Sequence, residues 1–321
     1  MSSVLSWLSA SGWEPFILVT LVIMLERVLP WQDKYHPLTL FRLIALNLAA
    51  KVNPNQPRSS MQRQLSGSLA IIVLLLPMII IVAISLFIAQ YPIFFDGLML
   101  LIALRFQPIL MHFKLVKKSI RAEKKQLARH HLSYLVLRET ETLSPMGMAK
   151  AAIEALVLRF NYQQVGIVFW YLIGGGLTAL SVRLIYELSQ CWNIKLRRYQ
   201  DFGLAAARIS KILFYLPSGI FAVVFSLLNG ITSVFKAFKQ RPNNLPFQHM
   251  LKLVLAGSLG IQLGGPAIYK GNKVRYPKVG ADRQVRFGDM DRTLHAVNFA
   301  VITLLTLIGL TFALVISLTY T

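Results

Sequence analysis

Cysteine is nearly absent: Cys191 is the only one in the chain, so no internal disulfide can form and no cysteine-based metal spacing exists. Charge is also scarce. Only 15 % of the residues are charged while 55 % are hydrophobic, and the mean hydropathy is +0.56, which excludes an ordinary soluble domain of 321 residues. No Pro/Gly/Ser-rich linker divides the chain and no fixed-period repeat runs through it, so residues 1–321 read as one helical membrane domain. The first apolar run, residues 13–29, lacks a basic flank and a small-residue cleavage site, and therefore reads as a retained helix rather than a secretory signal.

What the chain does contain is long apolar runs, at residues 13–29, 67–89, 93–113, 164–186, 212–235 and 295–319. Several approach the roughly 20 residues that a helix needs to cross a hydrocarbon core. The runs 67–89 and 295–319 carry no Lys, Arg, Asp or Glu and are expected to span. The fold class is all-α, a polytopic helical membrane protein whose loops carry its chemistry.

The net charge of +21 is confined to particular segments. Residues 114–163 hold ten basic side chains and 236–294 hold eleven, while 30–66 hold Lys34, Arg42, Lys51, Arg58 and Arg63. Basic loops stay cytoplasmic, so these segments are expected on the cytoplasmic face of a bacterial inner membrane, with lipid rather than nucleic acid as the partner. Six simple spans would put 187–211, with its five basic residues, on the opposite face. The run 164–186 is weakened by Gly174, Gly175, Gly176 and Arg183, so it is expected to be re-entrant or interfacial, which returns 187–211 to the cytoplasm.

Local signals place the candidate residues. Residues 114–137 read as a basic amphipathic helix at the lipid surface or a solvated charged face. His36 precedes Pro37 and reads as a turn or cap before a helix. His130 and His131 are adjacent, point about 100° apart on a helix, and do not chelate one ion together. Ser144 and Pro145 read as N-cap and first residue of a helix over 145–158. Glu139 precedes that helix and Glu154 lies on it; the two carboxylates are weak catalytic candidates, with salt bridging to nearby bases the commoner fate. Arg198 and Arg208 flank Tyr199 and a run of alanines and could grip phosphate or carboxylate. Gly264, Gly265, Pro266, Tyr269 and Lys270 form a glycine-rich loop whose bare amides could approach an anionic or bulky ligand. It lacks the Lys-Ser/Thr ending and preceding strand of a Walker loop.

Together these stretches resemble the CobD/CbiB cobalamin-biosynthesis family of membrane-bound adenosylcobinamide-phosphate synthases. The resemblance rests on Leu25–Glu26, His36–Pro37, Arg138 with Thr140 and Leu143, Ile153–Glu154, Arg198, Tyr199, Phe202, Gly203, Ala205 to Arg208, Tyr215, Pro217, Leu263 to Pro266, Tyr269 and Gly271. It implies amide formation between adenosylcobyric acid and an aminopropanol phosphate arm, with ATP and Mg²⁺ as cofactors where the activity survives. In that reading Arg138, Arg198 and Arg208 neutralise phosphates while Tyr269 and Lys270 cover a corrinoid. No cofactor and no metal ligand set follow from the residues themselves.

The chain departs from the family pattern at 158–163 and 186–193, where Leu158, Arg159, Phe160, Asn161, Tyr162 and Gln163, then Tyr186 to Asn193, replace stretches richer in carboxylates and amides. Over residues 158–175, LRFNYQQVGIVFWYLIGG, it resembles AmpE, a related inner-membrane protein associated with beta-lactamase regulation. That resemblance implies the alternative, a non-catalytic regulatory or ligand-binding protein with other membrane proteins among its partners. A transporter is disfavoured because charged residues within the apolar runs after the first are few, namely Asp96, Arg105 and Arg183.

Overall fold

The computed structural model describes residues 12–29, 31–54, 58–241, 245 and 249–320. Among the described residues seven α-helices come first: α1 Glu14–Val28, α2 Pro37–Val52, α3 Ser60–Ile88, α4 Pro92–Ala103, α5 Gln107–Arg121, α6 Lys125–Ser133 and α7 Pro145–Phe160. A π-helical turn, Asn161–Val165, leads into α8, Gly166–Cys191; then come α9 Leu204–Asn229, α10 Ile231–Lys239 and α11 Met250–Leu259. Four short strands follow, β1 Gln262–Gly264, β2 Ala267–Tyr269, β3 Asn272–Val274 and β4 Lys278–Gly280, before the closing helix α12, Gly288–Tyr320. Five segments are long and apolar enough to cross a membrane: Ser60–Ile88, Pro92–Arg121, Pro145–Cys191, Leu204–Asn229 and Gly288–Leu318.

The helix starts follow local chemistry. Ser59 caps α3 in a reciprocal box with Gln62. Ser144 accepts from the Gly147 amide at 3.1 Å, with Pro145 at the first helical position, as its sequence signal indicates. His36 serves as the N-cap of α2, its Nδ1 accepting from the Leu38 amide at 3.2 Å.

The run 13–29 is a helix as expected, of 15 residues, and is not among the five segments long and apolar enough to cross. Two other readings of the pattern are corrected. The run 93–113 is broken at Leu104–Phe106, because the buried Glu26 carboxylate takes the amides of Phe106 and Gln107 at 2.7 and 2.6 Å and so starts a new helix there. The basic stretch 114–137 is two helices, α5 and α6, parted where Glu123 adopts φ +56°.

The fold of 145–191 decides the architecture. A straight helix would part Tyr162 from Tyr186 by about 36 Å. Their rings instead stack with centroids 5.6 Å apart, and the Phe214 ring lies 5.2 Å from the first and 5.7 Å from the second. The chain therefore turns back on itself at Gly174 (φ −144°, ψ 22°) and Gly175 (φ 70°, ψ −168°), so that 145–173 and 176–191 form an antiparallel helical hairpin. Gly175 occupies a region open essentially to glycine alone. Asp96 of α4 closes the bend, its Oδ1 accepting from the Gly176 amide at 2.6 Å.

At the open end of this hairpin lies a buried ion network. Glu187 accepts both forks of Arg42 from α2, at 2.6 and 3.0 Å, and pairs as an ion, without a hydrogen bond, with the fully buried Arg183, whose Nη2 lies 2.7 Å from Oε1. Arg105 reaches Asp33 at 2.5 Å and Thr39 at 3.2 Å beside them. Trp192 then donates to the Ala45 carbonyl at 3.2 Å, and Phe202 presses its carbonyl against Gly67 so closely that a Cβ there would lie 1.9 Å away. The segment after the hairpin is thereby pinned beside the start of α3.

Gly175→Ala is expected to lower stability by about 1–3 kcal/mol, because alanine cannot adopt that backbone without strain. Thermal unfolding of the detergent-solubilised protein reads the change, and an unaltered midpoint would show that the bend is not built as described. His36 generates a pH expectation: burial, and then the positive charge of Arg105 and Arg183, pull it from 6.5 down to about 3. A depressed value means that the unfolded chain takes the proton more readily. The stabilisation is complete above about pH 6.5 and is lost as pH falls toward 3. His36→Asn keeps a capping side chain and is expected to flatten the acid dependence of the unfolding midpoint between pH 6.5 and 4 relative to the parent.

Candidate functional site

The open end of the hairpin is also where the chain's basic loops meet. α7 carries Glu154 to this end, and α11 brings Lys252 against it, with Nζ 2.5 Å from Glu154 Oε1. Arg138, from the loop before α7, stands 3.8 Å from Glu154 Oε2. All three side chains are largely withdrawn from solvent, at 14 %, 13 % and 17 % exposure for Lys252, Arg138 and Glu154. One carboxylate thus answers two cations.

Aromatic faces complete the cluster. Lys195, just past the hairpin, sits 5.4 Å from the centre of the Tyr269 ring and 5.6 Å from that of Tyr276, and Lys252 lies 5.7 Å from Tyr276 on the other side. The two phenol rings meet edge to face at 6.4 Å, and His249 lies 5.5 Å from Tyr276. Burial pushes the Tyr276 hydroxyl up to about 12 and raises that of Tyr269 as well, so both remain neutral donors. His249 is pulled down by burial and by Lys252 and Lys195.

The glycine-rich loop is held as two small antiparallel ladders, β1 with β4 and β2 with β3. Between β2 and β3 the two turn residues, Lys270 and Gly271, have φ +46° and +79°, the pattern of a tight hairpin turn. Glu139 grips this turn twice, donating its amide to Ile268 at 2.8 Å and accepting the Gly271 amide on Oε1 at 2.7 Å. Gly264 lets β1 close on β4, since a Cβ there would lie 2.3 Å from the Pro277 carbonyl. A Cβ on Gly265 would come within 3.9 Å of Lys150 Nζ. Lys270 and Asn272 then line a cleft of about 370 Å³ with Leu196, Arg197, Arg198 and Tyr199.

Nearly every residue singled out in the sequence gathers here: Arg138, Glu139, Glu154, Arg198, Tyr199, Gly264, Gly265, Tyr269 and Lys270. Pro266 is exposed beside them. Arg208 stands apart, exposed on α9, and no hydrogen bond, ion pair or ring contact among the described residues joins it to the cluster. Lys150, Lys195, Lys252 and Tyr276 were not anticipated. Lys252 carried a signal, being a lone base in the apolar stretch 250–259, whereas Lys195 and Tyr276 are placed by the tertiary fold alone.

The donor set favours an anion over a cation: Glu154 Oε1 is held by Lys252 at 2.5 Å, Glu139 Oε1 holds the turn, and the remaining Glu154 Oε2 is buried without a hydrogen bond, 3.8 Å from Arg138, with more bases than acids around it. Phosphate oxygens or carboxylates would instead find lysine and arginine donors beside two tyrosine faces. Glu187, in one of the stretches that departs from the family pattern, is likewise committed to Arg42 and Arg183.

These features define a multi-pass helical membrane protein with a basic cleft at one end of its bundle and, adjoining it in the chain through Lys195 and Tyr269, a cluster of bases and phenols around one carboxylate. The chain belongs to the CobD/CbiB family: the family described as CobD/Cbib protein matches residues 19–297. It is 27 % identical over 290 residues to cobalamin biosynthesis protein CobD of Chromobacterium violaceum, covering 88 % of this chain and 92 % of that one. The protein of the same name from Brucella anthropi is 26 % identical over 299 residues, with 87 % and 91 % covered. Cobalamin biosynthesis protein CbiB of Salmonella typhimurium is 27 % identical over 187 residues, with 56 % and 59 % covered. No solved structure matches the chain.

Lys252→Met is expected to cost roughly 3–5 kcal/mol of stability, because it removes the nearer partner of a largely buried carboxylate. The double variant Lys252→Met/Glu154→Gln should recover a large part of that loss. Thermal or denaturant unfolding of the single and double variants decides it: equal losses in both would show that the pair contributes packing only.

Proposed function

We propose that this protein binds a corrinoid or phosphate-bearing ligand of cobalamin biosynthesis in the basic and aromatic cleft, at the cytoplasmic face of a bacterial inner membrane. The observation that carries the reading is the convergence of Arg138, Lys195 and Lys252 with Tyr269 and Tyr276 around a single carboxylate. An anionic arm would replace water at those cations, and the phenol faces would cover a large planar body. Family membership supplies the ligand class; the geometry supplies the means of holding it.

The reaction to which the family points is that of adenosylcobinamide-phosphate synthase, an amide bond between adenosylcobyric acid and aminopropanol phosphate. The arrangement favours the holding of substrate over the making of the bond, because both nearby carboxylates already have partners. Affinity and turnover should therefore separate. With the purified protein, cobyric acid and aminopropanol phosphate are expected to bind saturably, and Arg138→Ala to weaken aminopropanol phosphate binding roughly ten- to a hundredfold, the worth of one charge-assisted contact. Amide formation assayed with ATP and Mg²⁺ should be slight and insensitive to Glu154→Gln. Robust product that collapses in Glu154→Gln would establish an intact synthase, and absence of binding by either compound would end the ligand reading.

A further inference from the structure

A second cavity lies beside the cleft, on the far side of the turn Arg197–Tyr199. It measures about 270 Å³ and is lined by Asn53, Pro54, Arg63, Arg197 and Arg198. Three of its five lining residues are arginines, and none is acidic. Among the described residues none of these arginines forms an ion pair, and Arg63 Nε is buried without a hydrogen-bond partner.

The three guanidinium groups come from two distant parts of the chain, held in register by polar contacts. The buried Asn53 at the end of α2 donates to the Arg198 carbonyl at 3.0 Å, and Ser60 at the start of α3 donates to Asp201 at 2.9 Å. Like charges gathered without a counterion repel one another, and a buried guanidinium N–H without an acceptor is costly. An anion placed among them removes both costs. A phosphate group suits the fork geometry of arginine, which can offer two parallel N–H donors to its oxygens. Arg63 sits in the first turn of α3, where the most apolar of the spanning segments begins, and so at the depth where the headgroups of a bilayer lie.

We propose that Arg63, Arg197 and Arg198 form a phosphate-binding site, filled by the headgroup of an anionic phospholipid or by a soluble phosphate ester. The site adjoins the ligand cleft through Arg197 and Arg198 but does not include Glu154, Lys252 or the tyrosines. Either reading can therefore fail alone.

The test uses the full-length protein, delipidated in a neutral detergent. Native mass spectrometry and thermal shift follow titration with dioleoylphosphatidylglycerol, with dioleoylphosphatidylcholine as the zwitterionic comparison, and separately with glycerol 3-phosphate. Saturable retention of phosphatidylglycerol that glycerol 3-phosphate does not displace assigns the site to lipid. Displacement by, or direct saturable binding of, glycerol 3-phosphate assigns it to a soluble ester. In either case Arg63→Gln is expected to weaken binding roughly ten- to a hundredfold, with Arg63→Lys between the two. Lys118→Gln, an exposed base on α5, should change nothing. Should Arg63→Gln fail to fold, Arg197→Gln on its exposed turn takes its place. Binding of both probes that is unchanged in the arginine variants, or reduced as much in Lys118→Gln, overturns the proposal.

Discussion

Everything at the basic end of this protein's bundle depends on the charge of Glu187 being answered twice. Arg183, one turn earlier on the same helix, has no exposure to solvent, and an uncompensated guanidinium in that position would be among the most costly groups in the molecule. Glu187 neutralises it while accepting the Arg42 fork from α2. The same carboxylate therefore fixes the returning arm of the hairpin against α2, and with it the level at which the chain leaves the bundle. Trp192 and Phe202 extend this attachment through the Ala45 carbonyl and Gly67, and between them hangs the segment that carries Lys195, Arg197 and Arg198.

The hairpin is what converts a membrane span into a carrier of surface chemistry. Had 145–191 continued as a single rod, Tyr186 would stand about 36 Å from Tyr162, and the arginines that follow would lie far from α7. By folding at Gly174 and Gly175 the chain returns its basic residues to the end from which α7 set out. Their partners there are few. Among thirteen acids, Asp33, Glu154, Glu187, Asp289 and Asp291 each hold a basic side chain, and Asp291 holds both Lys117 and Arg121. With 34 basic residues against those thirteen, a positive surplus remains, and only anions from outside the chain can balance it.

Much of this was legible in local chemistry. The Ser144–Pro145 start, the His36 cap and the weakness of 164–186 are encoded within a few residues of where they act. The charge of 187–211 added a second, independent reason to expect that run to turn back. The break at Leu104–Phe106 had one local mark, Pro108 in the first turn of α5, but its other cause was not legible, because a carboxylate 80 residues earlier in the chain takes the amides that start that helix. The four strands of the all-α fold escaped for a similar reason. Each is three residues long and exists only through its partner, leaving no run for a period of two to show. In the site, Arg138, Glu139, Glu154 and Tyr269 were identifiable because they lie in motifs. Lys195 and Tyr276 were not, since a cation over a ring is a property of two loops rather than of either one.

Arg208 and Glu154 were both singled out in the sequence, and the fold gives them different surroundings. Arg208 stays in sequence beside Arg198, yet the intervening start of α9 carries it onto an exposed helical face, while Arg198 remains on the turn that lines both cavities. Glu154 lies on α7, where Lys252 stands 2.5 Å from its Oε1 and Arg138 3.8 Å from its Oε2. A carboxylate so placed orders lysine and arginine around itself. The cluster is therefore one acid arranging several bases, and Glu154 is the internal counterion that allows them to stand so close together.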